Sequence, residues 1–145
     1  MDFLSNLIQY WKNDSLTLPA GITDAEIKRF EAQYNVVLPK HFKAYLKIVN
    51  GNGQAGTDLF YFWPISEIKS ASELLSDSYS DRFDYPNRFA FVDFLISSRV
   101  YAIHLDKNDD NPGQVFTIAD KDKRIVAKSF VEFIGQYLSD SDKLL

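Results

Sequence analysis

Apolar side chains at Phe3, Leu4, Leu7, Ile8 and Trp11 follow the i, i+3, i+4, i+7 spacing of one helix face, which predicts a short amphipathic helix over residues 2–13. Residues 14–21, with Pro19 and Gly21, read as a connection. Thr23-Asp24-Ala25-Glu26 has the form of a capping box: the Thr23 hydroxyl takes the Glu26 amide, and the Glu26 carboxylate returns to the Thr23 amide. Ile27, Phe30 and Tyr34 then share one face of a second helix over 24–35. Leu38-Pro39 breaks that helix, because the residue before a proline is pushed out of the α region. Pro39 is placed to be the first residue of a third helix, whose apolar face is Phe42, Tyr45, Leu46 and Val49. Asn50-Gly51 closes it.

Beyond residue 51 the period changes. Leu59 to Trp63 is aromatic, β-prone and stopped by Pro64. Ser66 to Leu75 reads as a helix with Ile68, Leu74 and Leu75 inward. Arg88 to Ile96 and Arg99 to Leu105 read as a hairpin about Ser97-Ser98. A turn over Asp106 to Gly113 leads to a strand from Val115 to Ile118, and a turn over Asp120 to Lys123 leads to another from Ile125 to Ala127. Ser129-Phe130-Val131-Glu132 is a second capping box, opening a last helix with Phe130, Phe133, Ile134, Tyr137 and Leu138 inward. Helices first, then a strand meander, then a terminal helix predict an α+β fold: an antiparallel sheet meander flanked by helices, as one domain over 1–145. The order is not the alternating βαβ of a nucleotide-binding fold.

Composition narrows the function. Aromatic residues make up 15%, with 12 Phe and 8 Tyr, so large rings carry much of the core. Without cysteine there is neither a disulfide framework nor a thiolate zinc site. The start, Met1-Asp2-Phe3-Leu4, lacks a basic run and a small-residue cleavage site. The longest apolar run, Phe89 to Ile96, has strand length and contains Asp93, far short of the ~20 residues that span a bilayer. The expected compartment is the cytoplasm, with no membrane partner. A net charge of −4 argues against a nucleic-acid partner, which needs clustered Lys and Arg, and suits a basic protein partner.

The stretch Ile22 to Gly51 resembles the opening of the SUKH superfamily. The pattern is a capped helix with Ile27 and Glu31, a break at Leu38-Pro39, a second helix with Tyr45, then Asn50-Gly51. Phe62-Trp63-Pro64-Ile65-Ser66-Glu67-Ile68 is similar to the family's strand leading into a short helix. Ala127 to Ile134 is similar to its terminal Ser-Phe-x-x-Phe-Ile helix. Many relatives carry glycines in the central hairpin, whereas Val92 to Tyr101 contains none. The resemblance implies one antiparallel sheet with flanking helices and a bacterial immunity protein that binds and neutralises a toxin, often a nuclease. The alternative it implies is a non-catalytic regulatory or scaffold protein binding a cellular partner, as fungal relatives do. It brings no catalytic residues.

The residues themselves agree with a binding role. His41 is expected at the surface or boundary near the start of the third helix and His104 in a strand; no His-x-His, His-Glu-x-x-His or Gly-x-Ser-x-Gly pattern occurs. The reading is therefore no enzyme, no catalytic residue, no cofactor and no metal. Asp106, Asn108 and Asp110 fill the first three places of a calcium loop, but Asn111 stands where Gly is needed and Thr117 where the bidentate Glu is needed. Gly51, Gly53 and Gly56 are followed by a strand and by no Gly-Lys-Ser/Thr, so they are not a phosphate loop. Lys40, Lys43 and Lys47 form a basic stripe that a solvated helix face explains. The partner-binding candidate is the run Asp77, Tyr79, Asp81, Phe83, Asp84 and Tyr85, where carboxylates alternate with rings that can receive Arg or Lys. The other reading of that run is a loop whose rings tuck onto the sheet. Asp58, Glu67 and Glu73 extend the acidic surface if they share its face.

Overall fold

The computed structural model describes residues 2–75, 87–108, 112–118, 124–139 and 141–145. Helix α1 runs Phe3–Asn13, with the Asp2 carboxylate accepting the Leu4 amide at its start, and buries Leu4, Leu7 and Trp11. Helix α2 runs Asp24–Tyr34; the Thr23 hydroxyl accepts the Glu26 amide at 3.2 Å, and Asn35 leaves the helix in the left-handed conformation. Helix α3 runs Lys40–Ile48. Pro39 is its cap and not its first residue, because an extended ψ of 149° turns its carbonyl to the Lys43 amide. Val49 also lies beyond the helix; it is extended and bridges to Ala20.

The strands are β1 (Phe60–Phe62), β2 (Lys69–Ser70), β3 (Arg88–Phe94), β4 (Arg99–His104), β5 (Val115–Ile118) and β6 (Ile125–Ala127). Each neighbouring pair is antiparallel, in the order β1-β3-β4-β5-β6, so the expected α+β meander is the fold found. Strand β2 pairs with Phe89 and Ala90 of β3, beyond the part of β3 that β1 covers. The expected helix over 66–75 is thus only half right. After β1 ends, β3 still offers unpaired backbone, and a turn at Pro64 returns Lys69-Ser70 to it. Helix α4 is left with Ala71–Leu75 alone. Ile68 is buried as expected and Leu74 is half-buried.

Helix α5, Phe130–Ser139, buries Phe130, Phe133, Ile134 and Tyr137, while Leu138 is half-buried. Ser129 accepts the Glu132 amide, and the Glu132 carboxylate returns one residue earlier than expected, to the Lys128 amide. The chain closes with a 3-10 turn at Ser141–Leu144. Phe133 meets Phe62, Phe91 and Tyr101 with tilted rings, which lays α5 across one sheet face. Trp11 of α1 packs on Phe62, and Phe42 of α3 on Phe91, on the same side.

The outer edge of β1 is sealed from within the chain. Asn52 is fully buried, and its side chain acts as a strand: Nδ2 donates to the Phe60 carbonyl and Oδ1 accepts the Phe62 amide. Its own amide donates to the Phe62 carbonyl. Gly51 makes this approach possible: its φ is +79°, and a Cβ there would sit 2.4 Å from the Phe62 carbonyl oxygen. Edge strands left open invite pairing with other chains, so the loop also guards against aggregation. Asn52→Ala leaves the buried Phe62 amide without its partner, at about 1–3 kcal/mol, and leaves the Phe60 carbonyl with the Gly56 amide alone, at 3.4 Å. Urea unfolding is expected to show a loss of roughly 1–3 kcal/mol; an unchanged midpoint would mean that water replaces the amide without penalty.

Candidate partner-binding surface

Side chains alternate along a strand, so the face turned away from α5 carries Tyr61, Asp93, Val100 and Ile118, which are cross-strand neighbours in the register. Asp93 is only 7% exposed, and its Oδ2 accepts the Trp63 indole N–H at 2.7 Å. Its Oδ1 accepts the Ser97 amide at 3.1 Å, so one buried carboxylate ties β1 to the β3–β4 turn.

At the β1/β2 edge a shallow depression is lined by Tyr34, Trp63, Glu67, Lys69 and Glu73. The Tyr61 hydroxyl donates to the exposed Glu67 carboxylate at 3.0 Å, and the Tyr34 hydroxyl to Glu73 at 3.4 Å. Burial and the Glu67 carboxylate push the Tyr61 hydroxyl up to about 12. Burial and Glu73 likewise raise Tyr34. Both hydroxyls keep their protons at neutral pH and so can donate to these carboxylates. A second depression, lined by Tyr61, Asp93, Ile96 and Ser97, lies beside the β3–β4 turn. Tyr61 therefore borders one hollow and bonds a carboxylate of the other.

Glu67 and Glu73 line the same depression. Asp58 does not join it. It accepts the Tyr10 hydroxyl of α1 and the Tyr137 hydroxyl of α5, and it takes the Phe60 amide. The run Asp77, Tyr79, Asp81, Phe83, Asp84 and Tyr85 lies outside the described residues.

Elsewhere the candidate chemistry resolves into structure. His41 is exposed with its ring edge-on to Phe3, and His104 is half-buried in β4. In the would-be calcium loop the Asp106 carboxylate accepts the Asn108 amide and the Asn87 side-chain amide; Asp110 and Asn111 lie outside the described residues. Lys47 pairs with Asp24 at 3.1 Å, and Lys43 stands 3.8 Å from Glu31. Among the described residues no group of three or more His, Asp or Glu has the arrangement of a metal site, and no helix is long and apolar enough to cross a membrane.

Sequence reasoning passed over Asn52 and the Asp93–Trp63 pair. The signal for the second was a lone Asp inside the apolar run Phe89 to Ile96. A charge in such a place is seldom fully buried without a partner, and the one indole N–H close by along the sheet supplies it. Asn52, in a glycine-rich loop, looks like any turn residue.

Residues 21–136 match the model of the SMI1 / KNR4 family (SUKH-1). No curated protein matches the chain.

The tyrosine–carboxylate pairs make stability depend on alkaline pH. Tyr10 and Tyr61 are each raised from 10.0 to about 12, for Tyr10 by burial and then by Asp58. A hydroxyl whose folded pKa exceeds its unfolded one stabilises the fold fully below the unfolded value, and that contribution is lost as pH rises toward the folded value. The urea midpoint is expected to hold between pH 7 and 9, then to fall between about pH 10 and 12. Tyr10→Phe should flatten the fall; an equally steep fall in that variant would assign the effect to other groups.

Proposed function

The chain belongs to the SMI1 / KNR4 family (SUKH-1), and from that premise we propose that it neutralises a bacterial protein toxin, possibly a nuclease, by binding it in the cytoplasm. Proteins of this family are generally non-catalytic, with immunity or regulatory roles. The observation that carries the reading is what the family-pattern positions do in this chain. Glu31 accepts the Leu38 amide at 2.8 Å across the break between α2 and α3. The Asn50 side chain accepts the Ile65 amide at 2.7 Å. Ile27, Leu38, Tyr45 and Phe130 are buried. All of them hold the scaffold, which leaves the exposed surface to choose a partner.

A basic toxin face suits the surface described above, where Glu67 and Glu73 accept tyrosine hydroxyls beside the ammonium of Lys69. Neutralisation requires only that an active site be covered or distorted, so the inhibitor needs no chemistry of its own. The run from Asp77 to Tyr85 belongs to the same proposal as an additional acidic contact.

Co-expression of the chain with the toxin encoded beside it is expected to restore growth. The double variants Glu67→Lys/Glu73→Lys and Asp81→Lys/Asp84→Lys should each slow association by about tenfold or more at low salt, with thermal stability kept. Unchanged rates in both would move the interface to another face. If no neighbouring toxin is relieved, the immunity reading fails and a regulatory partner becomes the reading to pursue.

A further inference from the structure

Strands β3 and β4 are joined by the four residues Leu95 to Ser98, and three of them are left-handed: φ is 53° at Leu95, 50° at Ile96 and 64° at Ser97. Glycine, asparagine and aspartate adopt this region readily, whereas a bulky side chain is crowded by the neighbouring carbonyl and a β-branched one most of all. Across the gap, Leu59 just before β1 is also left-handed, at φ 71°, and its carbonyl accepts the Leu95 amide at 3.0 Å. The conformation is held from several sides. The buried Asp93 carboxylate takes the Ser97 amide, and the Ser98 amide and hydroxyl both donate to the Phe94 carbonyl. Strain that the surroundings over-determine in this way collects at functional sites.

What the strain achieves is exposure of apolar surface. Leu59 is 44% exposed, Leu95 47% and Ile96 95%. Reversing the chain needs none of this, since Asn or Gly would make the same turn with less strain and no wetted methyl groups. The result is an apolar knob whose backbone is held by hydrogen bonds before any encounter, and preorganisation of this kind lowers the cost of binding. We propose that Leu59, Leu95 and Ile96 form the apolar anchor of the partner interface, filling an apolar slot bordered by Lys or Arg on the partner protein. The basic border follows from what adjoins the knob. Ile96 shares its hollow with Tyr61, whose hydroxyl holds Glu67, and Glu67 opens onto the depression that contains Glu73. A second copy of this chain is a poor occupant, because a two-fold contact would set these carboxylates against themselves.

The anchor rests on the partner-binding reading above, and the two fail in different ways. The probe is the toxin relieved in the co-expression test, measured against wild type, Ile96→Asn and Leu59→Asn/Ile96→Asn. Asparagine is at ease in the left-handed region, so Tm should hold or rise by about 2–4 °C, while Kd weakens by about thirtyfold in the double variant, mainly through faster dissociation. Salt dependence of association should persist in Ile96→Asn and diminish in Glu67→Gln. If wild type relieves no neighbouring toxin, the partner reading is lost and the anchor with it. If wild type binds and the variants bind equally well, only the anchor is lost. A fall in Tm for Ile96→Asn would overturn it by giving that side chain a role in the fold. Concentration-dependent sedimentation abolished by Ile96→Asn would overturn it in favour of self-association.

Discussion

The fold depends on the aromatic edge of α5 lying against the sheet. Phe130 meets Phe42, Tyr45 and Phe91; Phe133 meets Phe62, Phe91 and Tyr101; Tyr137 meets Phe60 and Phe62. A buried ring removes roughly 150–250 Å² from water, about 4–6 kcal/mol before conformational entropy is subtracted. That contact alone would leave the helix free to slide. The Tyr137 hydroxyl fixes its position, since it donates to Asp58 and accepts the Trp11 indole N–H at 3.0 Å. One hydroxyl therefore joins α5 to α1 and to the loop before β1. Burial and the Asp58 carboxylate raise that hydroxyl far above the usual tyrosine range, so it remains a donor throughout the range in which proteins work.

The same economy governs the other polar groups in the interior. Asn52, Asp93 and Thr117 are the buried polar residues among those described. Asn52 completes the edge of β1, Asp93 bridges Trp63 and Ser97, and Thr117 takes the Arg124 amide where β5 meets β6. Each stands where strand backbone would otherwise lack a partner or where two segments must be registered. Burying a polar group without a partner costs about 1–3 kcal/mol on the scale of protein mutations. Their placement therefore selects one register over its neighbours as well as adding stability. The family-pattern residues Glu31 and Asn50 work by the same rule at the α2–α3 break and before the Pro64 turn.

Helices α2 and α5 were legible because period and caps agree: Thr23 and Ser129 each cap an apolar stripe that the core confirms. Helices α1 and α3 were legible from the apolar period, while the Asp2 cap of α1 was not foreseen and α3 has no side-chain cap. The meander was legible from β-prone runs separated by polar turns. Residues 66–75 misled because Ile68, Leu74 and Leu75 fit a helical period, while pairing with β3 is decided by backbone that no local pattern reveals. On the surface, the sequence offered Asp58, Glu67 and Glu73 together as an acidic supplement and could not separate Asp58 from the other two. Its two tyrosine partners lie 48 and 79 residues away in sequence, beyond the reach of spacing arguments. The absence of glycine between Val92 and Tyr101 was visible from the outset; its meaning was not, until φ angles placed leucine and isoleucine in the left-handed region.

That turn is where local preference and global fold disagree most. Each left-handed residue bearing a Cβ costs roughly 1–2 kcal/mol, and three in succession take a real fraction of a net stability that is typically about 5–15 kcal/mol. Asp93, which holds the turn, adds the cost of a carboxylate drawn out of water, offset by an indole and an amide. A sequence under selection for stability alone would relieve both at once with a glycine-bearing turn and an apolar residue at position 93. The two costs coincide, and together they present Leu95 and Ile96 to solvent, outside the buried core. Concessions that coincide mark a site shaped by something other than the fold's own stability.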